Sequence, residues 1–93
     1  MIKILAVCGN GLGSSLMLKI NVAAVIKDLG ISDVEVGHCD LTSVASEKAD
    51  VVVVTKDLAP NFGDSQPVIS LANVMSKAEL KEKLQDYFAL NRN

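Results

Sequence analysis

A short apolar run that stops at a cluster of glycines and reopens as a helix dictates most of what this chain can become. Ile2 to Val7 contains one charged residue, Lys3, and runs into Cys8-Gly9-Asn10-Gly11-Leu12-Gly13-Ser14-Ser15. Beyond it, Leu18, Val22, Val25 and Leu29 fall at i, i+4, i+7 and i+11, with Lys19 and Lys27 off that stripe and Gly30 at its end. A strand, a glycine turn and an amphipathic helix in that order make the first part of a crossover unit, which demands a second strand parallel to the first.

Other segments supply the partners. Val51-Val52-Val53-Val54 is a block of β-branched residues, and like Ile2 to Val7 it reads as a strand covered on two faces, as parallel strands are. Val34 to Gly37, after the Ser32-Asp33 turn, and Val68 to Leu71, after Pro67, read as two more strands. Leu41 to Lys48 is expected to form a short helix, and 58 to 66 to hold at most one turn, because Pro60 and Gly63 interrupt it. Ser76-Lys77-Ala78-Glu79 has the spacing of a capping box and opens a last helix whose apolar side runs Leu80, Leu84, Tyr87 and Phe88. The expected fold is α/β, a four-stranded parallel sheet with flanking helices in a flavodoxin-like arrangement, as one domain over residues 1–93.

Composition narrows the functions open to such a domain. With 93 residues, 49% hydrophobic and 22% charged, the chain can build one small core. A net charge of -2 provides no field for condensing on a phosphate backbone, and Phe62, Tyr87 and Phe88 are not interleaved with basic residues, so nucleic-acid binding drops out. Apolar stretches are broken at Gly9, Lys19, Lys27 and Lys56, short of the roughly 18 to 20 residues of a membrane helix, so no membrane insertion is expected. The start resembles a lipoprotein signal only superficially, since it has no charged leader and Val7 precedes Cys8 where a small residue is wanted. Cys8 and Cys39 have neither CxxC nor metal-type spacing, which predicts free thiols in a reducing cytosol and neither a disulfide framework nor a metal site.

In open α/β sheets ligands bind outside the carboxyl ends of the strands, which directs attention to the loop after the first strand. Gly9, Gly11 and Gly13 let backbone N–H groups converge on an anion while the following helix aims its positive end at the same point. This is a phosphate cradle, with Ser14 and Ser15 as added donors or helix caps and Leu12, Leu16 or Met17 as anchors of the turn to the core. Cys8 is its first residue. A lone cysteine is commonly a buried small hydrophobe, but groups that stabilise phosphate also stabilise a thiolate, which makes Cys8 a nucleophile placed at an anion hole. A Cys-x5-Arg phosphatase loop would put arginine where Ser14 stands, and the chain's single arginine is Arg92. GxGxxG fails at the same position, and although Glu35 could meet a ribose, 93 residues hold half of a dinucleotide-binding sheet.

The run Ile4-Leu5-Ala6-Val7-Cys8-Gly9-Asn10-Gly11-Leu12-Gly13-Ser14-Ser15, continuing through Leu16-Met17-Leu18-Lys19-Ile20-Asn21-Val22, resembles the IIB components of the bacterial phosphoenolpyruvate-dependent sugar phosphotransferase system (PTS), in the ascorbate-type group of the lactose and galactitol-like IIB proteins. The resemblance covers nearly the whole chain and implies a low-molecular-weight phosphatase-like fold. It also implies that Cys8 accepts a phosphoryl group from a phosphohistidine of a IIA protein and passes it to a sugar, L-ascorbate, held by the membrane protein IIC. The family's phosphate loop falls on Gly9, Asn10, Gly11, Leu12, Gly13, Ser14 and Ser15, with the backbone N–H groups of Asn10 to Ser14 as principal donors. No cofactor is implied, and a monomer at the inner face of the membrane is.

Two further residues stand near the expected site edge. His38 follows the second strand and is either a loop histidine or a group that touches the thiolate's surroundings or a partner; Lys56 follows the third and either offsets phosphate charge or is a solvated lysine. Cys39 reads as a structural thiol. Two readings remain beside the carrier: a thiol phosphatase or arsenate-reductase-like enzyme, disfavoured by Ser14, and a non-catalytic anion-binding module, which would tolerate Cys8→Ser.

Overall fold

Four strands, β1 (Ile2–Cys8), β2 (Val34–Asp40), β3 (Val51–Thr55) and β4 (Val68–Leu71), pair in one sheet of order β2-β1-β3-β4 with every pairing parallel. They belong to a computed structural model that describes residues 2–8, 12–41, 43–62, 67–72 and 76–91, with backbone only at 8, 12–15, 45 and 91. Helices α1 (Leu12–Asp28) and α2 (Lys77–Asn91) lie together on one face of the sheet. Order and direction are those expected of a flavodoxin-like α/β fold, and strand pleating decides which side chain meets which layer.

On the helix face, Ile4 and Ala6 of β1, Val51 and Val53 of β3, and Ile69 and Leu71 of β4 pack against Leu18, Val22, Val25 and Ile26 of α1 and Leu80, Leu84 and Phe88 of α2. The intervening residues Leu5, Val7, Val52 and Val54 join Cys39 on the other face. All four valines of β3 are 0% exposed, so the block of β-branched residues is a strand enclosed from both sides, as its composition predicts.

The second face differs from expectation. Leu41 to Lys48 does not make the expected short helix: among its described residues only Val44–Ser46 coils, as a 3-10 turn, while Ala59–Asn61 makes the one turn expected at most of 58 to 66, of which 63–66 lie outside the described residues. Asp40 explains the first, because its carbonyl and its Oδ1 both accept from the Ser43 N–H, at 3.2 and 2.8 Å, a side-chain turn that competes with helix propagation. Pro60 lies in the second turn, where its missing N–H and fixed φ suit a single turn and nothing longer. Leu41, Val44, Ala49, Leu58, Ala59 and Phe62 from these loops cover the sheet where helices would otherwise lie.

Helix ends follow their residues. Gly30, at φ 69°, lets the Ile31 N–H reach the Ile26 carbonyl at 3.2 Å and its own N–H reach the Lys27 carbonyl at 3.1 Å, a Schellman close that turns the chain back toward β2. At the start of α2 the Ser76 hydroxyl accepts from the Glu79 N–H at 3.3 Å, the first half of the expected box. The Glu79 carboxylate reaches out to the Ala72 N–H at 3.0 Å and pairs with Lys83 at 3.5 Å, while the Lys83 ammonium donates to the Ser70 carbonyl, so α2 is tied to the end of the edge strand β4. No helix among the described residues is long and apolar enough to cross a membrane.

Candidate functional site at the end of the first strand

The connection out of β1 leads through α1 to β2 on one side, and the chain then crosses back over β1 to β3 on the other. The carboxyl end of β1 is therefore where the strand order reverses, the place where an open parallel sheet leaves a crevice. Cys8 is the last residue of β1. Leu12 opens α1, and the four peptide steps between them span at most about 14 Å, which holds the amino end of the helix near the cysteine backbone.

The first four N–H groups of a helix have no partner within it. In α1 these belong to Leu12, Gly13, Ser14 and Ser15, and the first turn carries no acidic residue to occupy them. Ser14 and Ser15 stand third and fourth in the helix, so of their two expected roles, added donors or helix caps, the cap is corrected: a cap precedes the first turn, and these residues lie within it. Gly9, Asn10 and Gly11 lie outside the described residues, as do the side chains of Leu12 and the two serines. Leu16 and Met17 do not anchor the turn to the core; they are 43% and 47% exposed, with Ile20 beside them at 53%. Leu18 and Val22 occupy the inward stripe, so residues one or two positions earlier are rotated toward solvent.

β2 runs to Asp40, three residues beyond its expected end, and this moves three residues from a loop into the sheet. His38 pairs in register with Ala6, Cys39 with Val7, and Asp40 with Cys8. His38 is half-buried on the strand bordering β1. Cys39 is buried in the core of the second face; burial, with Glu47 and Asp40 adding and Lys3 opposing, pushes its thiol up from the ordinary range, as suits a structural thiol. Lys56 follows the last residue of β3, exposed, its N–H donating to the Leu71 carbonyl at 3.0 Å. His38 and Lys56 thus flank the carboxyl edge on the strands either side of β1.

Asp40, which follows His38 and Cys39 at the expected site edge, proves to be the last residue of β2 and the register partner of Cys8. The pairing is what the sequence did not give: seven residues from Ile2 to Cys8 match seven from Val34 to Asp40, but a glycine at 37 suggests a strand end instead. A cleft of about 340 Å³ lies at the opposite, amino end, lined by Ile2, Leu29, Gly30, Ile31, Ser32 and Phe88, none of which ionises. Among the described residues no His, Cys, Asp and Glu side chains gather as a metal site.

The sequence profile of the family described as PTS system, Lactose/Cellobiose specific IIB subunit matches residues 3–86, from β1 into α2. The chain belongs to this PTS IIB family. Curated relatives of this IIB chain carry the name "Ascorbate-specific PTS system EIIB component". One from Mycoplasma pneumoniae is 30% identical over 86 residues, covering 89% of this chain and 90% of the relative. Others from Salmonella choleraesuis and Escherichia coli O157:H7 are each 32% identical over 87 residues, covering 89% of this chain and 85% of theirs. The IIB chain is thus a component of a phosphotransferase system, and its cysteine at the topological switch point lies within the matched residues.

Proposed function

We propose that Cys8 is the phosphoryl carrier of this IIB component. The observation that supports it is the position of Cys8 at the carboxyl end of β1, an inner strand, with the amino end of α1, whose first N–H groups have no partner within the helix, four residues on. An N–H cradle and a helix dipole favour the thiolate and then the thiophosphate that replaces it. Gly9, Asn10, Gly11, Leu12, Gly13, Ser14 and Ser15 form the cradle, chiefly through backbone N–H groups.

The thiolate attacks phosphorus as the bond to a phosphohistidine of a IIA protein breaks; the imidazole nitrogen keeps that electron pair and takes a proton. In the onward step a sugar hydroxyl, losing its proton, attacks phosphorus, and the S–P bond breaks to return the thiolate. A carrier must hold its phosphoryl group until the next partner arrives, and with Ser14 in place of the arginine of a Cys-x5-Arg loop, no bidentate clamp assists hydrolysis. The acceptor is sugar held by a membrane IIC protein, L-ascorbate by the names of the relatives. The subunit acts as a cytoplasmic monomer beside that membrane protein, without cofactor.

The test is intact mass and peptide mapping after incubation with phosphoenolpyruvate, the two general phosphotransfer proteins and an ascorbate-type IIA. One phosphoryl adduct on Cys8, absent from Cys8→Ser, is expected. No adduct in the presence of demonstrably phosphorylated IIA overturns the carrier role, and phosphatase turnover or anion binding indifferent to Cys8→Ser then identifies which other chemistry the loop performs.

A further inference from the structure

Asp40 is the register partner of Cys8 in the parallel pairing of β1 with β2, and paired backbones in a sheet stand about 4.8 Å apart. Its carboxylate is not a free rotor, since Oδ1 accepts the Ser43 N–H at 2.8 Å and the Asp40 carbonyl accepts the same N–H. An anion is therefore fixed beside the strand end that carries the thiol, on the flank away from β3. Among the described residues, the other ionisable groups at that end of the sheet are His38, two positions back on β2, Lys56 and Asp57 after β3, and Lys77, Glu79 and Lys83 at the start of α2 beyond β4, with the positive end of α1 following β1. The helix end favours an anion on Cys8, and a carboxylate in the next strand opposes it.

We propose that Asp40 is a positioning residue for the chemistry of Cys8: its held carboxylate raises the energy of both anionic forms at that position, thiolate and phosphocysteine, and so drives the phosphoryl group onward. The cradle alone would make the thiophosphate a resting state. A neighbouring charge of the same sign offsets part of that binding while leaving the cradle geometry intact, which suits a relay whose acceptor is a poorly nucleophilic hydroxyl. The phosphocysteine part rests on the carrier role proposed above; the thiolate part does not.

Asp40→Asn separates charge from shape, because the amide oxygen still accepts from Ser43. With iodoacetamide and peptide mapping to resolve Cys8 from Cys39, the pH midpoint for alkylation of Cys8 falls by about 0.5 to 1 unit in the variant, and the difference shrinks in about 1 M salt. The equilibrium between phosphorylated IIA and phosphorylated IIB shifts toward IIB by about three- to tenfold, the same energy read on the other anion. An unchanged or raised midpoint in a variant with native circular dichroism overturns the proposal. Should the asparagine variant fail to fold, Asp40→Ser, which keeps a short acceptor, decides on the same readout. Where wild type takes no phosphoryl group at all, the carrier role falls and the alkylation midpoint still decides for Asp40.

Discussion

Cys39 is the register partner of Val7, one rung before Cys8, and both of these side chains are buried on the face of the sheet away from the helices. Strand alternation aims neighbouring positions apart, and two cysteines whose Cβ directions diverge cannot be bridged without moving backbone. Mild oxidation is expected to leave no internal bridge, and native-state alkylation to proceed on Cys8 well before Cys39. Non-reducing peptide mapping checks both; a linked Cys8–Cys39 peptide from folded protein would contradict the pleat assignment.

Burial makes Cys39 a source of alkaline instability. Its thiol ionises at higher pH folded than unfolded, so the native state holds more protons there, and its contribution is fully present below the unfolded value and lost as pH rises through and beyond about 8.5. Tyr87, raised by burial and by Asp50, adds the same sign at higher pH. Urea midpoints are expected to fall from pH 8 to 10 in wild type and to fall less in Cys39→Ala. Parallel slopes in the two proteins would rule out Cys39 as the cause.

Gly30 carries a positive φ with nothing within 4 Å of where a Cβ would stand, so a substitution there meets strain and no collision. Gly30→Ala should cost about 1 kcal/mol, near the penalty of a left-handed residue, and lower the melting temperature by about 4 to 8 °C. A loss several times larger would mean that the turn also packs against something.

Leu16, Met17 and Ile20 form an apolar strip on the exposed side of α1. Replacing each by glutamine or lysine is expected to change stability by no more than about 0.5 kcal/mol, against the 2 to 5 kcal/mol typical of truncating a core leucine such as Leu84. Chemical denaturation of the three single variants beside Leu84→Ala measures the contrast. A core-sized loss at Leu16 or Met17 would restore their role as anchors.

The fold was legible because the residues that decide it act locally. Val51 to Val54 could only be a strand shut in on both sides, and Gly30 and Ser76 mark where helices end and begin. Its errors arose where partners far along the chain take control. β2 continues through Gly37 to Asp40 because β1 offers a full-length ladder, and Leu41 to Lys48 loses its helix to one carboxylate that ties up Ser43. At the candidate site, Cys8 and its glycines stand out in the sequence, whereas the pairing of Asp40 with Cys8 appears only when two strands offset by 32 residues align Cys39 with Val7 and Asp40 with Cys8.

β1 sits between β2 and β3, paired with β2 from Ile2 to Cys8 and with β3 from Ile4 to Ala6, while β4 has an open edge. Its amides should therefore exchange with deuterium only through global unfolding, whereas those of β4 open through smaller excursions. The proposed reacting residue closes one of the two inner strands of the sheet. On the proposed carrier role, a partner that rearranged the turns at Val44–Ser46 and Ala59–Asn61, or the edge at β4, would leave the sulfur's point of attachment in place, so donor and acceptor would meet the same target.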